Sequence, residues 1–424
     1  MLINMNLTVK TLSGLETLLE QELKDLGAKN IESISRGFTC SGDEELMYKI
    51  NYQSRFSVKV LQELYSFSFK TKEDYLEQIK KYEWDFFIKP EESIAVDAVV
   101  FGCDLFDNSL YTAQLTKDGM VDFFRNRYGL RPSVRTNFPE LRVSVFISGY
   151  NCTVYADTSG SSLHKRGYRK SFHAAPVNEV LAAGLVALSG WKFDCDFYDP
   201  MCGSGTIVIE AAMAAMNIPA GYFREDFGFK RWQNFKPRIL KRVKDSADAE
   251  IKEFDHKIIG SDYSDQVIRS AWKNIFSAGL KHDVQLLRHN VFTTEIPKGS
   301  MVVFNPPYDE RLSLNDATGF YKKLGDTIKN NMRGCKVWML VGNPDLWKSV
   351  GLKTSAKIPL FNGNIESRFL GYESYEGTKK FNKAENYQNK SGGDNHDSKE
   401  HKDYKFRNDR PDRKRFPEGK NKKL

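Results

Sequence analysis

Strands and helices alternate through the centre of this sequence, and that alternation most constrains its fold. The apolar segments that end in polar residues are WKFDCDFYDP, HKIIGSDYS, VQLLRHNVF, SMVVFNPPY and CKVWMLVGN. Helical patterns such as TIVIEAAMAAMNIPAG and DQVIRSAWKNIFSAGL separate them. Repeated β-α-β units of this length form parallel strand pairs, so we predict an α/β fold with a doubly wound, Rossmann-like sheet.

Three chemically distinctive segments, DPMCGSG, GSD and NPPY, each follow one of these strands at its carboxyl end. The carboxyl ends of parallel strands lie at one edge of an open sheet, and ligands bind at that edge. We therefore expect the three segments to contribute to a single site.

The glycine-rich segment DPMCGSGT, residues 199–206, is typical of a cofactor loop. Two glycines let a ligand approach the backbone, and the following helix directs free N–H groups at the loop. Asp199 disfavours a pyrophosphate and favours a positively charged ligand such as S-adenosylmethionine. The loop residues predicted to bind the cofactor are Asp199, Pro200, Cys202, Gly203, Ser204, Gly205 and Thr206.

Asp262 ends the next strand, where a carboxylate can accept hydrogen bonds from ribose hydroxyls. Its alternative role is the N-cap of the helix that follows.

The segment Asn305-Pro306-Pro307-Tyr308 combines two rigid residues with an amide and a ring. Consecutive prolines make a stiff, extended exit from a strand. The Asn305 side chain and the Pro306 carbonyl then present two fixed acceptors, which suit an exocyclic amino group on a base. Tyr308 can stack on a base that has left its helix. The alternative is an ordinary proline turn after a strand.

The flanking regions differ from the centre. The first ~175 residues read as a separate α+β region, in which short strands alternate with amphipathic helices. Residues 378–424 carry 15 Lys and Arg against 8 Asp and Glu, whereas the first 377 residues carry 48 against 47. The last segment has few apolar residues, so we expect a disordered basic tail. It acts either as a solvating tail or as a tether for RNA.

Several classes of protein are excluded by composition. No apolar run approaches the ~20 residues that span a bilayer, and the sequence does not begin with a basic and then apolar leader. The six cysteines form no C-x-x-C pair. We expect a cytoplasmic protein without a membrane segment, a metal site or a disulfide framework.

Further stretches carry a family resemblance. They are NYQSRFSVKVL, FRNRYGLRPSVRTNFPELRVSVFI, HKRGYRKSFHAAPVNEVLAAGL and LFNGNIESRFLGYES. Together with NPPY they resemble class I S-adenosylmethionine-dependent RNA methyltransferases that carry an N-terminal THUMP domain. Within that group the sequence is similar to the bacterial ribosomal RNA guanine-N2 methyltransferase family, RlmL, over about residues 1–376.

The resemblance implies a domain order and an activity. It implies a ferredoxin-like part at 1–45, a THUMP RNA-binding domain at 46–158, a methyltransferase domain at 159–376 and the tail at 377–424. The implied reaction is methylation of N2 of a guanine in 23S ribosomal RNA, with S-adenosylmethionine as cofactor. Some family members have a second methyltransferase domain, which is absent from this sequence, so one methylation is expected.

The resemblance also implies roles for single residues. Asp199, Gly203 and Gly205 would line the cofactor, and Asp262 would bind its ribose. Asn290 takes the place of an aspartate that contacts the adenine in the family. The base would be held by Asn305, Pro306 and Tyr308, with Pro307 between them.

Basic residues near these motifs are candidates for RNA contacts. Lys165, Arg166 and Arg169 lie in a glycine-containing segment between the two regions, and Arg311 follows NPPY. Their side chains can bind phosphates and direct RNA to the site. The alternative for the first three is a solvated linker.

Three other functions stay open at this point. The same chemistry can act on transfer RNA, because related THUMP proteins do so. A non-catalytic RNA-binding ribosome assembly factor could retain the fold alone. A DNA adenine methyltransferase would share NPPY but not the N-terminal stretches.

Overall fold

Two β-sheets organise the chain. The computed structural model describes residues 4–171, 176–307, 314–343 and 346–374. Within these ranges, one sheet has eight strands and the other has seven. The predicted basic tail at 377–424 lies outside the described residues.

The first sheet is formed by the N-terminal region. Its strands are β1 (Met5–Lys10), β2 (Lys29–Ile34), β3 (Gly37–Gly42), β4 (Lys59–Ser68), β5 (Ser93–Phe101), β6 (Ser133–Val134), β7 (Leu141–Ser148) and β8 (Asn151–Asp157). The helices of this region are α1 (Glu16–Asp25), α2 (Glu44–Gln53), α3 (Lys72–Lys80) and α4 (Ser109–Tyr128), with a 3-10 helix at Trp84–Phe86. The strand order is β2-β3-β1-β4-β8-β7-β5-β6.

Strand β4 joins the two halves of this sheet. It pairs antiparallel with β1 on one side and with β8 on the other. The predicted boundary at residue 45 falls within α2. Because β4 belongs to both halves, the first ~160 residues share one continuous sheet and one apolar core.

The second sheet is formed by the central region. Its strands are β9 (Phe197–Asp199), β10 (Ile258–Asp262), β11 (Val284–Arg288), β12 (Met301–Phe304), β13 (Lys336–Val341), β14 (Ala356–Asn362) and β15 (Ile365–Glu373). Its helices are α5 (Glu179–Leu188), α6 (Thr206–Ala215), α7 (Pro237–Asp248), α8 (Asp265–Ser277) and α9 (Leu314–Asn331), with 3-10 helices at Gly228–Arg231 and Leu346–Val350. The strand order is β11-β10-β9-β12-β13-β15-β14.

The predicted doubly wound sheet is confirmed for β9 to β13, which pair in parallel. Alternate residues of β12 enter different cores: Val303 packs in the core that contains α5 and α6. Val302 and Phe304 pack in the core under α9. Helices therefore cover both faces, which is why β12 is apolar throughout rather than alternating. The antiparallel pair β14 and β15 was not predicted.

The two regions are packed tightly together. Leu15, at the N-cap of α1, is fully buried and belongs to the core of the second sheet. It packs so closely on α5 that a Cβ atom added at Gly184 would lie 2.6 Å from Leu15 Cδ2. The two regions therefore share apolar packing across their boundary.

A buried set of charges accompanies this packing. Arg166 Nε lies 3.6 Å from Glu210 Oε1, and both side chains are almost completely buried. The Arg166 guanidinium also donates to the backbone oxygens of Arg55 at 2.6 Å and Leu163 at 3.1 Å. Glu210 lies on α6, so this arginine links the N-terminal region, the segment after β8 and the second sheet.

The position of Arg166 corrects one sequence prediction. Arg166 was expected to contact RNA phosphates, but its side chain is 2% exposed and its hydrogen bonds are to the protein. The solvated-linker alternative is also wrong for this residue. Of the three cations predicted to contact RNA in this segment, Lys165 is the exposed one.

None of the helices within the described residues is long and apolar enough to cross a bilayer. The same residues contain no cluster of three or more His, Cys, Asp and Glu side chains placed to hold a metal ion.

Replacing Arg166 by Met is expected to destabilise the protein by about 3–5 kcal/mol, because it leaves Glu210 buried without this charge partner. The free energy of unfolding from urea titration measures this loss. The control Lys165→Met changes an exposed neighbour and is expected to stay within about 0.5 kcal/mol of the wild type. A loss of the same small size in Arg166→Met would contradict a stabilising role for the buried charges.

Candidate active site

The three predicted motifs lie at the carboxyl ends of adjacent strands. Asp199 of β9 is paired with Gly260 of β10, two residues before Asp262. On the other side, Tyr198 is paired with Val302, three residues before Asn305. The loop after β9 therefore lies between the Asp262 end of β10 and the Asn305 end of β12. The sheet brings the three motifs together, as expected.

Two glycines in the left-handed backbone conformation shape the glycine loop between β9 and α6. Gly203 has φ +53° and Gly205, the N-cap of α6, has φ +83°. Any other residue would be strained at these angles. A Cβ atom added at Gly203 would meet no atom within 4 Å, so space remains next to the backbone on that side. A ligand can therefore approach the loop and the first turn of α6.

Backbone contacts fix this loop on the sheet. Cys202 N donates to Ser261 O at 2.9 Å, and Gly205 N donates to Cys202 O at 2.8 Å. Gly260 permits this close approach, because a Cβ atom there would lie 3.2 Å from Cys202 Cβ. The Cys202 thiol is buried, and burial raises its pKa well above the usual value. It is therefore a packing residue rather than a nucleophile.

Asp199 is an almost completely buried carboxyl group at the base of the loop. Its Oδ1 accepts a hydrogen bond from Met201 N at 3.1 Å. Burial, with a smaller contribution from the charge of Asp262, raises the pKa of Asp199 well above its usual value. A carboxylate so placed is stabilised by a cationic ligand. The open space at Gly203 and this carboxyl group fit the positively charged cofactor predicted from the sequence.

Asp262 and Asn290 follow β10 and β11 on the outer side of the loop. Asp262 Oδ1 accepts from Ser264 N at 3.0 Å, and the N-cap of α8 is Ser264. The N-cap alternative for Asp262 is therefore wrong. Asn290 Oδ1 accepts from Phe292 N at 3.0 Å, which fixes an exposed turn beyond β11. Both side chains lie at the edge that carries the glycine loop.

The NPPY segment follows β12, whose four residues are all buried. Asn305 is partly exposed, Pro306 is buried and Pro307 is partly exposed. The amide and the prolines thus leave the core at the same edge as Asp199. Tyr308 and Arg311, predicted to stack on the base and to contact RNA, lie outside the described residues.

The Arg169 side chain binds other parts of the protein instead of the predicted RNA phosphates. Its guanidinium donates to Glu179 Oε1 at 2.7 Å, to Thr206 Oγ1 at 2.9 Å and to Ser204 Oγ at 3.1 Å. The side chain is 10% exposed. Arg169 therefore holds the glycine loop and the start of α5 together, and the predicted RNA contact is replaced by this bracing role.

Asn274 of α8 is a second bracing residue, and the sequence analysis missed it. It is 1% exposed. Its Oδ1 accepts from Lys170 N and Ser171 N, both at 2.9 Å, and its Nδ2 donates to Ser204 O at 3.0 Å. The available signal was an amide between Ala271 and Ile275 on the apolar face of a predicted helix. Such a residue needs buried partners.

Three family descriptions match successive parts of the chain. Residues 6–61 match an RlmL ferredoxin-like domain, 69–157 match a THUMP domain, and 166–370 match an RMKL-like methyltransferase domain.

Known relatives match almost the whole described length. The putative RNA methyltransferase slr0064 of Synechocystis is 34% identical over 365 residues, which is 85% of this chain and 95% of that protein. The ribosomal RNA large subunit methyltransferase K/L of Cellvibrio japonicus is 35% identical over 84% of this chain and 49% of that protein. The chain thus spans about half the length of the K/L relatives it matches.

A solved structure shows the same fold. SMU.472, described as a putative methyltransferase complexed with SAH, aligns with a TM-score of 0.79 at 26% identity. The alignment covers 89% of this chain and 100% of SMU.472. S-adenosylmethionine is therefore the cofactor. The chain belongs to the THUMP-containing, S-adenosylmethionine-dependent RNA methyltransferases related to the ribosomal RNA large subunit methyltransferases K/L.

Proposed function

We propose that this protein methylates the exocyclic N2 amine of a guanine in 23S ribosomal RNA. The observation that carries the proposal is the placement of the glycine loop, Asp262 and Asn305 at the carboxyl ends of three adjacent parallel strands. S-adenosylmethionine supplies the methyl group when bound. The names of the K/L relatives support the ribosomal substrate.

The cofactor side of the site consists of backbone groups and carboxylates. We assign cofactor binding to the predicted residues of the glycine loop, to Asp262 for the ribose and to Asn290 for the adenine. The Asp199 carboxylate faces a ligand with positive charge, which favours its ionised form. The N–H groups at the first turn of α6 have no acceptor within the helix, and they suit the polar end of the ligand.

The base side consists of fixed acceptors. We assign the two hydrogens of the target amine to the Asn305 side-chain oxygen and the Pro306 carbonyl, with Pro307 keeping the exit rigid. Accepting both hydrogens orients the amine nitrogen and its lone pair. Because the nitrogen loses its proton after it gains the methyl group, the chain needs no strong base. Tyr308 and Arg311 keep their predicted roles as proposals.

The choice of base and RNA rests on the family. N2 of guanine and N6 of adenine are both exocyclic amines, and two acceptors bind either one. The resemblance to the guanine-N2 methyltransferases favours guanine, and the THUMP domain favours RNA over DNA. We also propose the division into parts at 1–45, 46–158, 159–376 and 377–424, and a location in the cytoplasm.

Replacing Asn305 by Ala is expected to lower the rate of methyl transfer at least ~10²-fold, since it removes one of the two acceptors that orient the amine. Single-turnover transfer of radiolabelled methyl groups to ribosomal RNA measures the rate. Binding of S-adenosylmethionine and of RNA is expected to stay within about twofold. The control Gln285→Ala removes an exposed amide on β11. Normal transfer by Asn305→Ala would refute the assigned role.

Deleting the gene is expected to remove one N2-methylguanosine from large-subunit ribosomal RNA. Mass-spectrometric analysis of nucleosides from ribosomal and transfer RNA measures the loss. If the methylated nucleoside disappeared from transfer RNA instead, the proposed amine methylation would stand and transfer RNA would be the substrate. If every methylated nucleoside persisted in both pools, RNA methylation would be refuted. An assay with duplex DNA would then separate a DNA methyltransferase from a non-catalytic RNA-binding factor.

The affinity for S-adenosylmethionine is expected to rise with pH. Because burial raises the pKa of Asp199, the carboxyl group is neutral at acidic pH and attracts a cationic ligand only as pH increases through that raised value. Isothermal titration calorimetry at several pH values measures the trend. Asp199→Asn is expected to bind more weakly and to lose the pH dependence, whereas the exposed Asp118→Asn is expected to keep both. An unchanged pH profile in Asp199→Asn would exclude this group as the cause.

A further inference from the structure

A cleft of about 1050 Å³ lies between the N-terminal region and the methyltransferase sheet. Its walls include four separate parts of the chain. The β1–α1 loop and the β2–β3 turn contribute Ser13 and Arg36, the segment after β8 contributes Lys165, and the β14–β15 hairpin contributes Phe361 and Asn364. This volume is at the upper end of the ~300–1,000 Å³ typical of small-molecule pockets. The cleft therefore suits a larger ligand.

The inner wall of the cleft is shared with the glycine loop. Arg169 and Glu179 line the cleft, and Arg169 also donates to Ser204 and Thr206 of the cofactor loop. A ligand in the cleft thus lies one side chain away from the proposed cofactor site. This position suits a part of the substrate next to the reacting group.

The cleft is positively charged at its rim. Arg36 and Lys165 are exposed, and neither forms an ion pair with any residue that the structure describes. Deeper in the cleft, Arg169 and Glu179 neutralise each other at 2.7 Å. Burial, together with the nearby charge of Arg36, lowers the pKa of Lys10 beside the rim. Two uncompensated cations favour an anionic ligand.

The hairpin side of the cleft offers groups that suit bases. The ring of Phe361 is 42% exposed, although it lies in a sheet whose neighbouring residue Leu360 is fully buried. Asn364 is exposed in the adjoining turn. An exposed ring can stack on a base, and an amide can bond to a base edge. The cleft thus combines phosphate-binding and base-binding chemistry.

Packing holds the walls of the cleft in place before any ligand binds. Gly14, with φ +90°, lies against the hairpin, and a Cβ atom there would come within 2.8 Å of Pro359 O. Leu15 follows and is buried in the methyltransferase core. The N-terminal wall is therefore attached to the hairpin wall, and binding requires little rearrangement.

We propose that this cleft binds the single-stranded RNA next to the target nucleotide. Arg36 and Lys165 contact its phosphates, and Phe361 stacks on one of its bases. The inference rests on the proposed RNA methylation and deepens it, because it assigns part of the substrate site to the ferredoxin-like region and to the β14–β15 hairpin. Duplex RNA does not fit the role, since its bases are not available for stacking.

The test uses the full chain and a short labelled single-stranded oligoribonucleotide of mixed sequence. Arg36→Glu, Lys165→Glu and Phe361→Ala are each expected to weaken binding roughly tenfold. The slope of log affinity against log salt is expected to fall by about one for each lost cation. Matched controls are Lys252→Glu and Phe276→Ala, which change an exposed cation and an exposed ring outside the cleft and the THUMP domain. Because all five residues are exposed, unchanged thermal midpoints verify folding.

Methyl transfer separates this inference from the proposed function. The cleft variants are expected to raise KM for ribosomal RNA with kcat and S-adenosylmethionine affinity unchanged. If the cleft variants had RNA affinities and salt slopes equal to those of the controls, RNA binding by the cleft would be refuted. This holds whether or not the wild type transfers methyl groups. Weakened RNA binding by the three variants together with an inactive wild type would support the cleft and refute the proposed methylation.

Discussion

The structure depends most on a set of four charged side chains between the two regions, of which Arg166 and Glu210 are buried and Glu22 and Arg55 are partly buried. Glu22 of α1 accepts from Arg55 N at 2.7 Å, and the Arg55 guanidinium donates to the backbone oxygens of Met213 and Ile218 at the end of α6. Arg166 pairs with Glu210 in the middle of the same helix. Burial raises the pKa of both glutamates, and the nearby arginines oppose that effect. Since α6 begins at the glycine loop, the interface and the cofactor site share one rigid helix.

The segment after β8 connects these parts as a structural element. Arg224 donates to the backbone oxygens of Ser159, Ser161, Ser162 and Lys165, which fixes the path of the chain. Burial lowers the pKa of Arg224 to about 10, so it stays charged at neutral pH. Arg166 and Arg169 then turn inward, one to α6 and one to the glycine loop. Lys165, which precedes both arginines, is exposed at the rim of the cleft.

The sequence predicted what depends on local pattern. Apolar strands that end in DPMCGSG, GSD and NPPY defined the sheet and the edge that carries the site, because periodicity and turn chemistry are local properties. Arg166, Arg169 and Asn274 were assigned wrongly or missed, since their roles depend on partners more than 30 residues away in sequence. A basic segment with a glycine has the composition of a solvated loop. Only the packing of both regions shows that Arg166 is buried and that Arg169 is 10% exposed.

The chemistry of the site explains why so much of the chain serves to position the substrate. In the proposed site, the cofactor side uses backbone geometry and carboxylates, and the base side uses an amide and a proline carbonyl. No group on either side must then be a strong acid or base. Rate then depends on holding the amine in line with the methyl donor, and misplacement by about 1 Å can cost ~10²-fold. A flexible joint between the RNA-binding region and the sheet would permit such errors. Leu15 in the methyltransferase core and the buried pair of Arg166 with Glu210 of α6 remove that freedom.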